Sequence, residues 1–380
     1  MLGSAVVEGD PLAAARAVSL NHVSDLDAGF SRIGTAKRFR YVDARGHVVR
    51  DRSTLSRIRA LAIPPAWTQV WISRDPDGHI QATGRDARGR KQYRYHGKWR
   101  EVRDQAKYHR LVGFCRVLPQ LRAQVARDLA CGCLCKRKVL ATVVSLMECA
   151  QLRVGNDEYT RTNGSYGATT LRDRHARFVG GALELAYRGK SGVDRRIRVT
   201  DRTLTKIVRQ CRDLPGQRLF QYVEGDEIRT ISSADVNDYL RELTGGPYTA
   251  KDYRTWAATL GAAMLLCALE QPETAAACKG CIKAVLGAVA TRLGHTPTVC
   301  RTSYIHPRIL DDFTSGALAR RLGPQLKRRL GKRSVDVSAD TIDVSALRAV
   351  ETAVARYVDP TRRRKVACAP RRWSGTSPQR

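Results

Sequence analysis

A change of pattern near Arg103 constrains this chain more than any other feature: short alternating segments and tight turns precede it, and helical periodicity follows it. Phe39–Val42 and His47–Val49 flank the turn Asp43-Ala-Arg-Gly46. Trp67–Ile72 and His79–Ala82 flank Asp75-Pro-Asp-Gly78, a strong hairpin signal because each of its residue types suits a turn position. Pro64 and Pro65 interrupt any helix between these pairs, leaving one helical turn over Ser53–Leu61 capped by Ser53 or Thr54. This predicts a small, mostly β domain over 31–103.

Beyond Arg103, Lys138–Leu152 places Val139, Val143, Met147 and Ala150 at helical spacing, with an end near Gly155. Phe178–Val199 breaks that period. Leu183, Leu185 and Tyr187 alternate, Gly189-Lys-Ser-Gly192 makes a turn, and Ile197 and Val199 alternate again, which predicts a hairpin inside a helical domain. Helices resume at Thr203–Arg212, Ser233–Leu243, Thr249–Glu270 and Glu273–Leu293, with Ser232 or Ser233 as a cap ahead of Asp235. The expected fold class is α+β, a small β-rich N-terminal domain followed by a larger, mainly helical domain over 108–315. Residues 1–30 are expected to be a partly disordered extension. Residues 316–380 are expected to be a basic extension with one helix, Val344–Tyr357, then the run Arg362-Arg-Arg-Lys365 and a disordered end. The sequence carries no internal repeat.

Charge narrows the function classes. The 380 residues hold 67 Lys plus Arg against 36 Asp plus Glu, a formal net charge of +31. Residues 31–110 carry +13, 111–315 carry +10, 316–380 carry +11 and the first thirty −3, so the excess runs through the folded region. Such a balance asks for a polyanion, and nucleic acid is the default partner. The longest charge-free apolar stretch, Thr255 to Leu269, falls short of the ~20 residues that span a bilayer. Glu8, Asp10, Asp25 and Asp27 against a lone Arg16 do not make the basic start of a secretory signal. A secreted or membrane-spanning protein is therefore disfavoured.

Eleven cysteines raise the question of metal or disulfides. Cys131, Cys133 and Cys135 follow a C-x-C-x-C pattern, and Cys278 and Cys281 form one isolated C-x-x-C without a second pair or a nearby His. A zinc site needs about four ligands with paired spacing, so the reading is reduced thiols in a cytosolic protein, with no metal and no cofactor.

Four stretches hold candidate chemistry. Gly294-His-Thr-Pro297 starts a helix with Thr296 as cap and Pro297 at its first position, and Tyr304 follows nine residues after His295, ahead of Pro307. Lys251-Asp-Tyr-Arg254 opens an otherwise apolar helix, Arg153 ends one in Leu152-Arg-Val-Gly155, and Lys190 sits at the tip of the Gly189–Gly192 turn. Each alone has an ordinary structural explanation. Their order does not.

That order resembles type IB DNA topoisomerases of the bacterial and poxvirus kind, over roughly Ile33 to Phe313. The resemblance rests on Gly84-Arg-Asp-Ala-Arg-Gly-Arg-Lys-Gln-Tyr-Arg-Tyr-His96, Leu152-Arg-Val-Gly-Asn-Asp-Glu-Tyr159, Thr169-Thr-Leu-Arg-Asp-Arg-His175, Lys251-Asp-Tyr-Arg-Thr-Trp256 and Leu293-Gly-His-Thr-Pro-Thr-Val-Cys-Arg-Thr-Ser-Tyr304. It implies a catalytic set of Arg153, Lys190, Arg254, His295 and the nucleophile Tyr304. It also implies a C-shaped clamp on duplex DNA, with contacts from Arg85, Arg88, Arg90, Lys91, Tyr93, Arg94 and Tyr95 and from Tyr159 and Lys251. The implied reaction is relaxation of supercoils of either sign through a 3′-phosphotyrosyl link, without ATP or a required metal, by a monomer in the nucleoid-associated cytoplasm.

The residue types suit that chemistry. A tyrosine hydroxyl is a weak nucleophile, so attack on a phosphodiester needs charge stabilisation around it. Guanidiniums clamp the non-bridging oxygens, a role for Arg153 and Arg254, with a further hydrogen bond from His295. The leaving 5′-oxygen needs a proton, for which Lys190 is the candidate, assisted by Arg153. A tyrosine recombinase shares this set, but usually carries a His-x-x-Arg ahead of the Tyr, which is missing here. A non-enzymatic nucleoid protein would use the charge alone.

Overall fold

The computed structural model describes residues 11–35, 38–331 and 344–359. The chain forms two compact units that divide after Arg110.

The first unit opens with helix α1 (Pro11–Arg16) and is built on a five-stranded antiparallel sheet. Strands β1 (Gly29–Thr35) and β2 (Arg38–Val42) lead into helix α2 (Arg52–Ala60), followed by β3 (Thr68–Ser73), β4 (Ile80–Arg85) and β5 (Lys91–Tyr95), in the order β2-β1-β3-β4-β5. Ile58 of α2 packs on Val70, Ile72 and Ala82 of the sheet. The Asp75–Gly78 turn joins β3 to β4 as expected, closed by the Gly78 N–H on the Asp75 carbonyl at 3.2 Å. The cap of α2 is Asp51, not Ser53 or Thr54: its carboxylate accepts from the Thr54 N–H at 2.8 Å. Strand β1 escapes an apolar-alternation reading because Arg32 takes one of its partly buried places. The Arg32 guanidinium donates to the carbonyls of Ile63, Pro64, Pro65 and Trp67, which fastens the proline loop to the sheet.

Helix α3 (Gly97–Leu129) begins ahead of the expected change at Arg103 and contains the division between the units. In the second unit, α4 (Lys136–Ala150) buries Val139, Val143 and Met147 and stops at Gln151, which is left-handed at φ 52°. The expected run to Leu152 is thus cut short. After α5 (Asp157–Asn163) comes a three-stranded antiparallel sheet of β6 (Ala176–Val179), β7 (Ala182–Arg188) and β8 (Asp194–Val199), which enlarges the expected hairpin by one strand. Then follow α6 (Arg202–Arg212), a hairpin of β9 (Gln221–Glu224) and β10 (Glu227–Thr230), and α7 (Ser233–Thr244), whose cap is Ser232.

Helix α8 (Ala250–Ala268) is buried at every position from Tyr253 through Cys267. A helix apolar all round belongs in the middle of a unit, with other elements packed about it. Helices α9 (Ala275–Leu293), α10 (Pro297–Ser303), α11 (Pro307–Thr314), α12 (Ala317–Arg321), α13 (Gly323–Leu330) and α14 (Val344–Val358) complete the described chain. The stretch from 316 onward, expected to carry one helix, has three among its described residues. Helix α14 is tied inward by charge: Glu351 accepts both Arg122 Nη atoms at 2.8 Å and the Trp256 indole N–H at 3.2 Å. Residues 1–10 and 360–380, including the Arg362–Lys365 run, lie outside the described residues. Among the described residues no helix is long and apolar enough to cross a membrane.

Candidate active site

Five local devices place the five side chains. Arg153 lies in the segment beyond α4, not at a helix end, because the left-handed Gln151 turns the chain away. That segment is strapped to the next loop by Ala168 N–H on the Arg153 carbonyl (2.8 Å) and Thr169 N–H on the Val154 carbonyl (2.7 Å). The approach requires two glycines: Gly155 sits at φ 102°, and a Cβ on Gly167 would come 2.6 Å from the Gly155 N and Cα. Lys190 stands in the β7–β8 turn, where Gly189 N–H meets the Val193 carbonyl at 2.8 Å.

Arg254 is in the first turns of α8, started by Thr249, whose N–H and hydroxyl both meet the Asp252 carboxylate. His295 follows Gly294, the left-handed residue that ends α9 at φ 63°. Thr296 caps α10 by accepting from Val299 N–H, and Pro297 is its first residue, as the Gly-His-Thr-Pro order predicts. Tyr304 closes α10. The Thr259 hydroxyl of α8 accepts from His306 N–H at 3.2 Å and turns its one proton between the carbonyls of Thr255 at 2.9 Å and Tyr304 at 3.3 Å, so the buried helix meets the tyrosine's backbone on both sides.

These devices converge. Arg153 Nη2 lies 2.9 Å from the Gly294 carbonyl and 3.1 Å from His295 Nε2. The His295 and Tyr304 rings are 4.6 Å apart, and the Arg254 guanidinium is 5.7 Å from the Tyr304 ring centre. Lys190 Nζ lies 5.5 Å from the Tyr159 ring. One cleft is lined by Arg153, Asn156, Tyr159, Lys190, Lys251, Arg254 and Tyr304. It thus gathers four of the five candidate catalytic residues, with His295 against two of them, and also Tyr159 and Lys251.

The electrostatics are unusual for a protein interior. Arg254 is 4% exposed, and its Nη atoms donate to the carbonyls of Gln151 and Leu293 while Nε finds no acceptor among the described residues. Burial, followed by repulsion from Arg153, pulls its pKa down to about 10. Burial likewise lowers that of Arg153. In both, the Tyr304 hydroxyl acts the other way, as a hydrogen-bonding neighbour that favours the charged form. Carbonyl dipoles, not carboxylates, are what these guanidiniums meet in the protein, an incomplete compensation for two desolvated charges. His295 sits in their field. Burial first, then Arg153, Arg254, Lys190 and Arg195, lower its pKa to about 3, so the ring is neutral at physiological pH. A neutral imidazole still offers one N–H donor. Together these groups can bind an oxyanion and stabilise charge developing on it beside a tyrosine hydroxyl.

Arg195 on β8 is a participant that the sequence reading passed over. Its guanidinium donates to the carbonyls of Thr291 (3.1 Å) and Arg292 (2.8 Å), joining the strand after the Lys190 turn to the end of α9 just before His295. The only signal was its place in Asp194-Arg-Arg-Ile-Arg198, where one arginine among several carries no mark.

The basic run of the first unit is sorted by strand geometry. Along β5 alternate residues share a face, so Lys91, Tyr93 and Tyr95 lie together and Arg94 lies opposite them. The Tyr93 and Tyr95 rings stack at 5.7 Å, 8° from parallel. Arg94 instead donates to the Ala62 carbonyl at 2.7 Å and lies 5.8 Å from the Trp67 ring. Lys91 pairs with Asp25 at 2.6 Å and Arg90 with Asp86 at 2.7 Å. Arg85 donates to Gln69 and the Gly89 carbonyl, both at 2.8 Å, and Arg88 is exposed in the turn between β4 and β5. The structure therefore does not bring all seven onto one surface.

Comparison with known proteins places the chain in a family. Residues 96–323 match the family described as the catalytic core of eukaryotic DNA topoisomerase I. Residues 38–86 match the N-terminal domain of bacterial DNA topoisomerase IB. The DNA topoisomerase 1B of Acanthamoeba polyphaga mimivirus is 35% identical over 261 residues, which cover 66% of this chain and 77% of the viral protein. By these matches the chain belongs to the type IB DNA topoisomerases, enzymes that act on duplex DNA.

Proposed function

We propose that this chain relaxes positive and negative supercoils by cutting one strand through Tyr304, letting it swivel, and resealing it. The Tyr304 hydroxyl gives its proton to solvent water as its oxygen attacks the phosphorus, and the bond to the 5′-oxygen breaks, leaving a 3′-phosphotyrosyl link and a 5′-hydroxyl. Arg153 and Arg254 hold the non-bridging oxygens, and neutral His295 adds one donor. Lys190 gives the 5′-oxygen its proton, assisted by Arg153. The new ester is close in energy to the one replaced, so resealing by the reverse path needs no ATP. Fixed cationic side chains supply the charge stabilisation that phosphoryl transfer demands, so no metal ion is required for it.

One observation carries the reading: a buried and a half-buried guanidinium, Arg254 and Arg153, flank the Tyr304 hydroxyl and, among the described residues, have carbonyls and the neutral His295 ring as partners and no carboxylate. A phosphodiester supplies the anion that this arrangement suits. Tyr159 and Lys251, on the same cleft, are proposed to contact DNA near the cut. Lys91, Tyr93, Tyr95 and Arg88 are proposed to meet the backbone from the first unit, with the rest of the +31 adding sequence-tolerant phosphate attraction. The enzyme is proposed to act as a monomer at the nucleoid. The test is a denaturation-resistant adduct on nicked or plasmid DNA, together with relaxation in the presence of chelator and without ATP. The wild type must form the adduct and Tyr304→Phe must not. An adduct that survives Tyr304→Phe, or relaxation that needs ATP, defeats the mechanism.

A further inference from the structure

The loop between α3 and α4 holds a feature with no part in strand cleavage. The spacing of Cys131, Cys133 and Cys135 predicts reduced thiols and no metal, yet the fold brings the three together. Their sulfurs all lie within 4.8 Å of one another, and Cys131 Sγ is 3.5 Å from both Cys133 Sγ and Cys135 Sγ. That is far beyond the ~2.05 Å of a disulfide, and all three cysteines are free. A metal ion bonded to sulfur at ~2.3 Å holds its thiolates roughly 3.8–4.0 Å apart, which is the spacing this cluster brackets.

The cluster is held in place by one side-chain and two backbone donors on the loop's carbonyls. Lys138 donates to the Cys131 carbonyl at 2.7 Å, and Val223 N–H, from β9, donates to the Leu134 carbonyl at 3.0 Å. Cys135 is the residue before α4, and the Val139 N–H closes the first turn on its carbonyl. The loop is therefore fixed at both ends, with its thiols already converged, so a ligand would meet little ordering cost. Cys133 is exposed and the other two are half-buried, which leaves an entry path.

We propose that Cys131, Cys133 and Cys135 form a binding site for one soft, thiophilic d10 metal ion, zinc(II) or copper(I). Soft thiolates select such ions over hard ones. Among the described residues no His, Asp or Glu joins the cluster, so the protein supplies three donors. Copper(I) accepts three sulfurs alone, and zinc(II) completes four with a water. Each thiol releases its proton as its sulfur bonds the ion, so loading acidifies a weak buffer. The Lys138 ammonium beside the loop offsets part of the negative charge of the loaded cluster. The site ties the exit of α3 to the start of α4 and is independent of the cleavage mechanism.

The test is metal titration of the full chain kept reduced with a phosphine. Cadmium(II) serves first as a thiolate charge-transfer reporter, then zinc(II) and copper(I) compete with chelators of known affinity. One ion per chain is expected in the wild type and in Cys278→Ser/Cys281→Ser. Binding is expected to vanish in Cys131→Ser/Cys133→Ser/Cys135→Ser. The exposed position permits a milder variant: Cys133→Ser should fold and yet bind the ion at least ~10-fold more weakly. X-ray absorption should show three sulfurs, alone on copper or with one oxygen on zinc, and either result identifies the ion. Equal affinity in the wild type and Cys133→Ser, or a sulfur shell of two or fewer, overturns the proposal.

Discussion

Arg153 and His295 meet at 3.1 Å, guanidinium nitrogen to ring nitrogen, and the same Arg153 nitrogen also holds the carbonyl of Gly294. A guanidinium only donates, so the imidazole nitrogen it meets carries a lone pair and the ring is neutral. The pKa of about 3 expresses the same fact energetically.

The pH dependence follows. With His295 neutral across the working range, single-turnover cleavage should show no acid limb near the ordinary histidine pKa of 6.5. His295→Gln, which keeps an N–H donor without a charge, should stay within about tenfold of the wild type, whereas His295→Ala should lose about 10²–10³-fold. Stability runs the other way. The folded pKa lies below the unfolded value, so the unfolded chain takes up the proton first as pH falls. The contribution is present above pH 6.5 and lost progressively toward pH 3. Urea midpoints should therefore fall over that interval, and less steeply in His295→Gln. An acid limb near pH 6.5 that disappears in His295→Gln would show that the charged ring does the work.

Lys190 supplies a second prediction through its position in the β7–β8 turn, on the cleft that Tyr304 lines. If it protonates the leaving oxygen, Lys190→Ala should slow cleavage by about 10²–10⁴-fold on ordinary DNA. A substrate with sulfur at the 5′-bridging position leaves without needing that proton. On it, Lys190→Ala should come within about tenfold of the wild type. Unchanged impairment on the sulfur substrate removes Lys190 as the acid and leaves it a phosphate contact.

Glu351 tests whether α14 belongs to the catalytic unit. Its carboxylate receives Arg122 through two bonds of 2.8 Å and Trp256 of α8 at 3.2 Å, and Arg122 also reaches Glu148. Removing Glu351 leaves Arg122 paired with Glu148 alone and deprives the buried Trp256 N–H of its acceptor, a loss of about 1–3 kcal/mol. Glu351→Ala should lower stability by that order in urea unfolding, and Trp256→Phe by about 1 kcal/mol for one lost hydrogen bond. A surface tail would show no change.

What could be read in advance was whatever local chemistry decides. The Thr296–Pro297 start of α10, the Asp75–Gly78 turn and the Gly189–Gly192 tip that carries Lys190 each follow from residues adjacent in sequence. The misses share a different cause, polar side chains turned inward. Arg32 takes a partly buried place in β1, Arg195 braces carbonyls of α9, and Arg122 with Glu351 binds α14 to the core. No hydrophobic period marks such residues, because their partners are distant in sequence. The cysteines of 131–135 were visible as a pattern, but their convergence depends on a loop pinned by Lys138 and by Val223.

Thr259 connects the buried helix to the nucleophile and gives the sharpest structural test. It is fully buried, and its hydroxyl meets the carbonyls of Thr255 and Tyr304 and the N–H of His306. Thr259→Val keeps the shape and leaves the Tyr304 carbonyl and the His306 N–H without that partner. A buried donor or acceptor so deprived costs about 1–3 kcal/mol. Because the lost bonds lie in the backbone at Tyr304, the tyrosine should also lose alignment with the Arg153 and Arg254 guanidiniums. Single-turnover cleavage should fall at least about tenfold while DNA affinity stays near the wild-type value, since misplacement by about 1 Å can cost 10²-fold. Thr259→Ser restores the hydroxyl and should restore the rate. A Thr259→Val enzyme that is destabilised but cleaves at the wild-type rate would show that α8 supports the fold without setting the position of Tyr304.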